Sequence, residues 1–137
     1  MELYLAHPLA DRVFHLCWEQ GFEERTGIKL LSPFYEVHRE DIEALDAGGK
    51  IEASSDDIVL ADLEAIQRTE GIVACVNKYT SIGTIMKICY AYTIYGLPVY
   101  VICTDDRAKH PWLVYHSTEI FTSYEDFEEW ITCSIDM

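Results

Sequence analysis

The sequence predicts a three-layer α/β sandwich around a mostly parallel sheet of about five strands, and three observations carry that expectation. Short apolar runs at residues 3–6, 28–31, 72–76 and 98–103 alternate with longer stretches of helical period, the pattern of a parallel sheet covered on both faces. The run Ile72-Val73-Ala74-Cys75-Val76 has no polar position, as a strand buried on both sides requires. The 137 residues, 50% hydrophobic and 25% charged, suit a single domain over 1–137 with a substantial core.

The elements follow in order. Residues 3–6 read as a strand, and Pro8 opens a helix whose apolar positions are Leu9, Val13, Phe14, Leu16, Cys17 and Trp18. Gly27 ends that helix, and residues 28–31 resume an extended path closed by Ser32 and Pro33, giving a βαβ unit in outline. Residues 34–56 are polar and acidic, with Gly48-Gly49 and Ser54-Ser55 and no firm period; they read as a long loop of the kind that closes over a site. Asp57 is placed as the N-cap of a helix with a buried face of Ile58, Leu60, Ala61, Leu63 and Ile66. Gly71 leads into the strand 72–76. A loop at 77–82, a helix at 83–96 and a β-rich run at 98–103 come next. A charged loop at 105–110, one or two short extended pieces within 112–121 and an acidic helix at 123–131 complete the chain. There are no internal repeats.

Twenty-four Asp and Glu against ten Lys and Arg give a net charge of −14. Such a field repels phosphate backbones and anionic membranes, so neither nucleic acid nor membrane is an expected partner. No apolar run approaches the roughly 18 residues of a spanning helix, and the start MELYLAHPLADR lacks a leader pattern, so a cytoplasmic location is expected. Cys17, Cys75, Cys89, Cys103 and Cys133 are odd in number and form no CxxC pair. Buried free thiols in a reducing compartment account for them. The five histidines are scattered as well, and the expectation is no metal and no cofactor.

Open parallel sheets of the flavodoxin/Rossmann-like kind bind ligands beyond the carboxyl ends of their strands. The loop Asn77-Lys78-Tyr79-Thr80-Ser81-Ile82-Gly83-Thr84 lies there, offering hydroxyls and free backbone N–H groups at a helix N-terminus, a natural anion site. The same pattern also suits a plain βα turn with Ser81 or Thr84 as N-cap. The segment TSIGTIMKICYAYTIYGLPVYVI, through Gly83, Thr84, Tyr90, Ala91, Gly96, Pro98 and Val99, resembles the signature of the nucleoside 2-deoxyribosyltransferase family and its nucleotide N-glycosidase relatives. There G-T-x-x-E-x-x-Y-A opens a helix that leads to a G-x-P-V strand. YLAHPLADR resembles that family's first strand and loop, and DIVLADLEAI its acidic-residue helix before the third strand.

The resemblance implies that a helix Glu attacks the anomeric carbon of a ribose or deoxyribose and expels the base, leaving a glycosyl-enzyme that water or a second base resolves. In this sequence Lys87 holds that place. An ammonium facing an oxocarbenium-like transition state raises the barrier, so the chemistry is expected to be impaired. Lys87 follows Thr84 by three residues and Gly83 by four, which puts all three on one side of the helix. Asp62, twenty-five positions earlier (87 − 62), matches the acidic residue that in relatives contacts the sugar or assists proton transfer. An ion pair between Lys87 and Asp62 would plug the site.

Ser81 stands where relatives acting on nucleoside 5′-monophosphates carry Ser and those taking free nucleosides carry Asp. A hydroxyl with helix-end N–H groups suits a phosphate dianion. Tyr4 and His7 close the first strand and are candidates to line base and sugar. Arg12 is a candidate phosphate ligand, and Phe34, with Tyr35 and His38, a cover for the base. Two functions follow: transfer or hydrolysis at a nucleoside or nucleotide N-glycosidic bond, weakened by Lys87, or non-catalytic nucleotide binding and sequestration in the same pocket. The resemblance further implies a homodimer or higher homo-oligomer.

Overall fold

The computed structural model describes residues 1–135. Five strands, β1 (Glu2–Ala6), β2 (Lys29–Leu31), β3 (Ile72–Val76), β4 (Val99–Cys103) and β5 (Glu119–Phe121), form one sheet in the order β2-β1-β3-β4-β5. Every pairing is parallel, with Tyr4 opposite both Leu31 and Ile72 and Val73 opposite Tyr100. Six helices surround it: α1 (Arg12–Thr26), α2 (Arg39–Asp46), α3 (Ser55–Gln67), α4 (Ile82–Cys89), α5 (Pro111–Tyr115) and α6 (Tyr124–Ile135). The molecule is a three-layer α/β sandwich, and its strand order is that of the flavodoxin-like sheet.

The period-2 geometry of the strands divides the core in two. Leu3, Leu5, Val73, Cys75 and Ile102 pack with Phe22 of α1 and with Phe127 and Ile131 of α6. Tyr4, Ala6, Ile72, Ala74, Val76, Val99 and Val101 pack on the other side, with Ala65 and Ile66 of α3, Ile88 of α4 and Leu113 of α5. Gly27 ends α1 at φ 74°, where a residue with a Cβ is strained, and its N–H bonds the Glu23 carbonyl at 2.9 Å.

Several elements differ from the sequence expectation. In and beside 34–56 the chain forms a wide π-type turn at Pro33–Val37, capped by the Ser32 side chain, and then α2, which starts after His38 without a side-chain cap bond. Only Ile42 of α2 is buried, so a two-turn helix with one apolar anchor leaves almost no periodic trace. The N-cap of α3 is Ser54, whose Oγ accepts the Asp57 N–H at 3.1 Å; Asp57 sits in the first turn. The buried face of α3 is Asp62, Ala65 and Ile66, while Leu60 stays 64% exposed. The helix is turned to bring a carboxylate inward. The stretch expected as extended pieces contains α5 before β5, because Pro111 and the His110 side chain, which accepts the Trp112 N–H, start a helical turn. The segment after β3 begins at Ile82 and widens into π-type turns at Tyr90–Ile94. All five cysteines are free, but only Cys75 and Cys103 are buried.

Candidate functional site

In a 2-1-3-4-5 sheet the strand order reverses between β1 and β3, and the crevice at their carboxyl ends is where ligands bind. Asp62 reaches this edge from α3. Its Oδ1 accepts the Tyr4 hydroxyl from β1 at 2.9 Å and the His38 Nε2–H at 2.8 Å, and its Oδ2 lies 3.4 Å from the Lys87 ammonium of α4. Lys87 Nζ also stands 5.4 Å over the Tyr4 ring. Four elements thus converge on one carboxylate, and the side chains of Asp62 and Lys87 are 9% and 14% exposed.

Burial would raise the Asp62 carboxyl, but the His38 hydrogen bond and the Lys87 charge outweigh it and hold it below its ordinary value. Burial lowers Lys87, and Asp62 opposes the shift without cancelling it. Tyr4 is raised well above its ordinary value by burial and by the adjoining carboxylate. A charged pair inside this edge is therefore satisfied by Tyr4 and His38 as well as by itself.

Beside it lies a second cluster. His7 and His15 stack with ring centroids 4.4 Å apart, and their Nδ1 atoms lie 3.7 and 3.3 Å from Asp11 Oδ1. Asp11 Oδ2 accepts the Asn77 amide at 2.9 Å, His15 Nε2 meets the Tyr124 hydroxyl at 3.0 Å, and Phe34 packs edge-on against His7. Burial, then the neighbouring His15, pushes His7 down to about 4, and burial lowers His15 too.

The remaining residues singled out in the sequence are placed as follows. Ser81 caps α4, its Oγ accepting the Thr84 N–H at 3.2 Å and contacting Thr84 Oγ1 at 3.1 Å, and Thr84 is buried. Gly83 is exposed, and a Cβ there would come no nearer than 3.8 Å to Ser81 Oγ. Arg12 is directed elsewhere: its Nη2 donates to Asp46 of α2 at 2.6 Å and its Nη1 to the Leu9 carbonyl. The i, i+4, i+8 spacing of His7, Asp11 and His15 is the one sequence signal for this cluster, and Asn77 carries none. His38, a candidate cover for the base, turns its ring to Asp62.

Two cavities open at this end of the sheet. One of about 570 Å³ lies between α4 and α5, lined by Ile85, Met86, Ile88, Trp112 and Leu113 with Lys78 and Arg107 among its polar groups. Another, of about 410 Å³, is lined by Asp11, Phe14, Asn77, Tyr79 and Asp105. Neither is lined by Lys87 or Asp62.

A doubly wound parallel sheet with polar groups gathered at its switch point is the class this chain represents. No family model matches the sequence, and no curated protein matches it. Among solved structures the chain is similar to a 2-deoxyribosyltransferase from the psychrotolerant bacterium Bacillus psychrosaccharolyticus, at 18% identity over 93% of this chain and 90% of that one, with a TM-score of 0.70. It is similar also to a conserved protein from Enterococcus faecalis V583, at 21% identity over 98% of each chain, with a TM-score of 0.71. The chain shares the fold of these proteins.

Proposed function

We propose that the β1/β3 crevice is a nucleoside or nucleotide site of the deoxyribosyltransferase and N-glycosidase type, in which glycosidic-bond cleavage is impaired by Lys87. The observation that carries this reading is the contact at 3.4 Å between Lys87 and Asp62, at the edge where Tyr4 and His38 also meet the carboxylate. A glycosyl-transferring site of this kind needs a free carboxylate to face positive charge developing at the anomeric carbon. Here the helix position supplies an ammonium, and Asp62 is committed to three donors. Ser81 at the α4 N-terminus supports a 5′-phosphate ligand, because a hydroxyl and unpaired N–H groups at a positive helix end favour an anion. Sequestration of the nucleotide without turnover is the second reading, and an ammonium in place of a free carboxylate on α4 favours it.

Assembly into a homodimer or larger homo-oligomer belongs to the same proposal. Ile82, Met86, Ile94, Trp112 and Tyr115, on α4, the turns after it and α5, are each more than half exposed, a concentration of apolar surface that marks an interaction face.

Restoring the carboxylate tests the chemistry. Lys87→Glu is expected to release free base from a deoxynucleoside 5′-monophosphate while the parent chain does not. An inert Lys87→Glu chain that still binds nucleotide tightly selects the sequestering reading. In a thermal-shift panel, nucleoside monophosphates are expected to raise Tm more than free nucleosides. A panel with no response to either rejects the site altogether.

A further inference from the structure

We infer that His7, Asp11 and His15 form a binding site for a single divalent transition-metal ion of the zinc type, independent of the nucleotide reading. One ligand atom from each lies within 4.8 Å of the other two. Two imidazoles and one carboxylate are the donor set that zinc, cobalt and nickel take, three protein ligands leaving a fourth position open. The His7 and His15 side chains are 1% and 0% exposed, so these donors are held inside the fold.

A second observation points to a ligand. Asp11 Oδ1 is buried and has no hydrogen-bond partner, although it lies 3.7 and 3.3 Å from the Nδ1 atoms of His7 and His15. A buried carboxylate oxygen left without a donor is uncommon in a folded protein, and an ion held between it and the two nitrogens satisfies it. The outer groups are those that metal sites use. Asn77 donates to Asp11 Oδ2 at 2.9 Å and fixes the carboxylate, and the Tyr124 hydroxyl meets His15 Nε2 at 3.0 Å. Metal binding would shift the His15 ring proton to Nε2, where the Tyr124 hydroxyl can accept it, and free Nδ1 as the lone pair a metal requires. Without metal the two Nδ1 atoms lean on the Pro8 and Asp11 carbonyls at 3.0 and 3.1 Å, contacts that metal binding exchanges for coordination. Asp11 and Asn77 also line the cavity of about 410 Å³, which gives the ion a route in and the open position a solvent-filled neighbour.

The scatter of histidines along the chain predicts no metal. His7 and His15 are brought together by the turn from the end of β1 into α1, and the two residues that position them, Asn77 and Tyr124, lie 66 and 109 positions from their partners.

The test uses the full chain stripped with chelator and titrated with Zn²⁺ by calorimetry and with Co²⁺ by visible absorption. One ion per chain is expected, with the d–d bands of a low-coordinate nitrogen and oxygen site and a Tm that rises with free metal. Asp11→Asn and His7→Gln are expected to weaken binding by about 100-fold or more, beyond the loss of an outer-shell partner, and His110→Ala to leave it unchanged. The Co²⁺ spectrum of the parent chain decides the question even if a variant does not fold. No binding to the parent chain, or binding lost with His110 and retained in folded Asp11→Asn, overturns the inference.

Discussion

Glu19 shows how far a single side chain depends on its surroundings. It lies on α1, 8% exposed, and its Oε2 has no hydrogen-bond partner. Burial, then the nearby Glu23 and Glu36, pushes its carboxyl from 4.5 up to about 8. The folded chain therefore keeps this proton up to about pH 8, while the unfolded chain releases it near 4.5. Between those values the native state binds more protons, so stability falls as pH rises. Glu19→Gln is expected to be more stable than the parent by about 1–3 kcal/mol at pH 8 and nearly equal to it at pH 4, as read from denaturant midpoints. His7 contributes the opposite slope. With its pKa pushed down to about 4, mainly by burial, the stability it confers is complete above about 6.5 and is lost as pH falls through the folded value. Neither effect is visible in the sequence, where Glu19 and His7 are an ordinary helix carboxylate and a residue beside proline. The cap at Ser81 and the shared face of Thr84 and Lys87 were legible from local spacing, whereas Asp62 was singled out only by the family resemblance. The direction of the Arg12 side chain was not legible, since Asp46 is reached across 34 positions.

At the scale of elements, Gly71 decides how β3 enters the sheet. A Cβ at this position would stand 3.0 Å from the Pro98 carbonyl oxygen and 3.3 Å from Leu3 Cδ2, so the backbone before β4 and the core of β1 both crowd it. The backbone oxygen cannot turn aside as a side chain would. Gly71→Ala is expected to cost about 1–3 kcal/mol in chemical unfolding, whereas Gly83→Ala, whose Cβ would meet only Ser81 Oγ at an ordinary 3.8 Å, costs far less. Strands β1, β3 and β4 were legible because a continuously apolar run has no other stable home in a chain of this size. Helix α2 was not, since one buried residue, Ile42, leaves no period to detect. The phase of α3 misled for a different reason. Val59 and Leu60 are exposed while Asp62 is buried, because Tyr4, His38 and Lys87 satisfy the carboxylate and leave apolar groups to the outer face.

For the whole molecule, the exposed apolar surface of α4 and α5 stands against a net charge of −14. Charge keeps separate chains apart at low ionic strength, and salt screens that repulsion over about 10 Å at 0.1 M. Self-association through this face is expected to strengthen with added salt in analytical ultracentrifugation. Trp112→Asp, 73% exposed in the single chain, is expected to abolish the association while leaving the unfolding midpoint of the monomer within about 0.5 kcal/mol. A chain that stays monomeric at every concentration and ionic strength rejects the assembly proposed for it.

The sequence by itself determined the layered α/β architecture, the positions of β1, β3 and β4, and the turn that carries Ser81, Gly83 and Thr84. Those features follow from hydrophobic period and from glycine, proline and cap residues, which act between near neighbours. Tertiary structure alone decided that His38 and Tyr4 join the Lys87–Asp62 pair at one edge, that His7 and His15 gather around the buried Asp11 Oδ1, and that α3 turns its carboxylate inward. These depend on contacts between side chains far apart in the chain. Their free energies come from burial and pairing, which exist only once the sheet has brought its helices together.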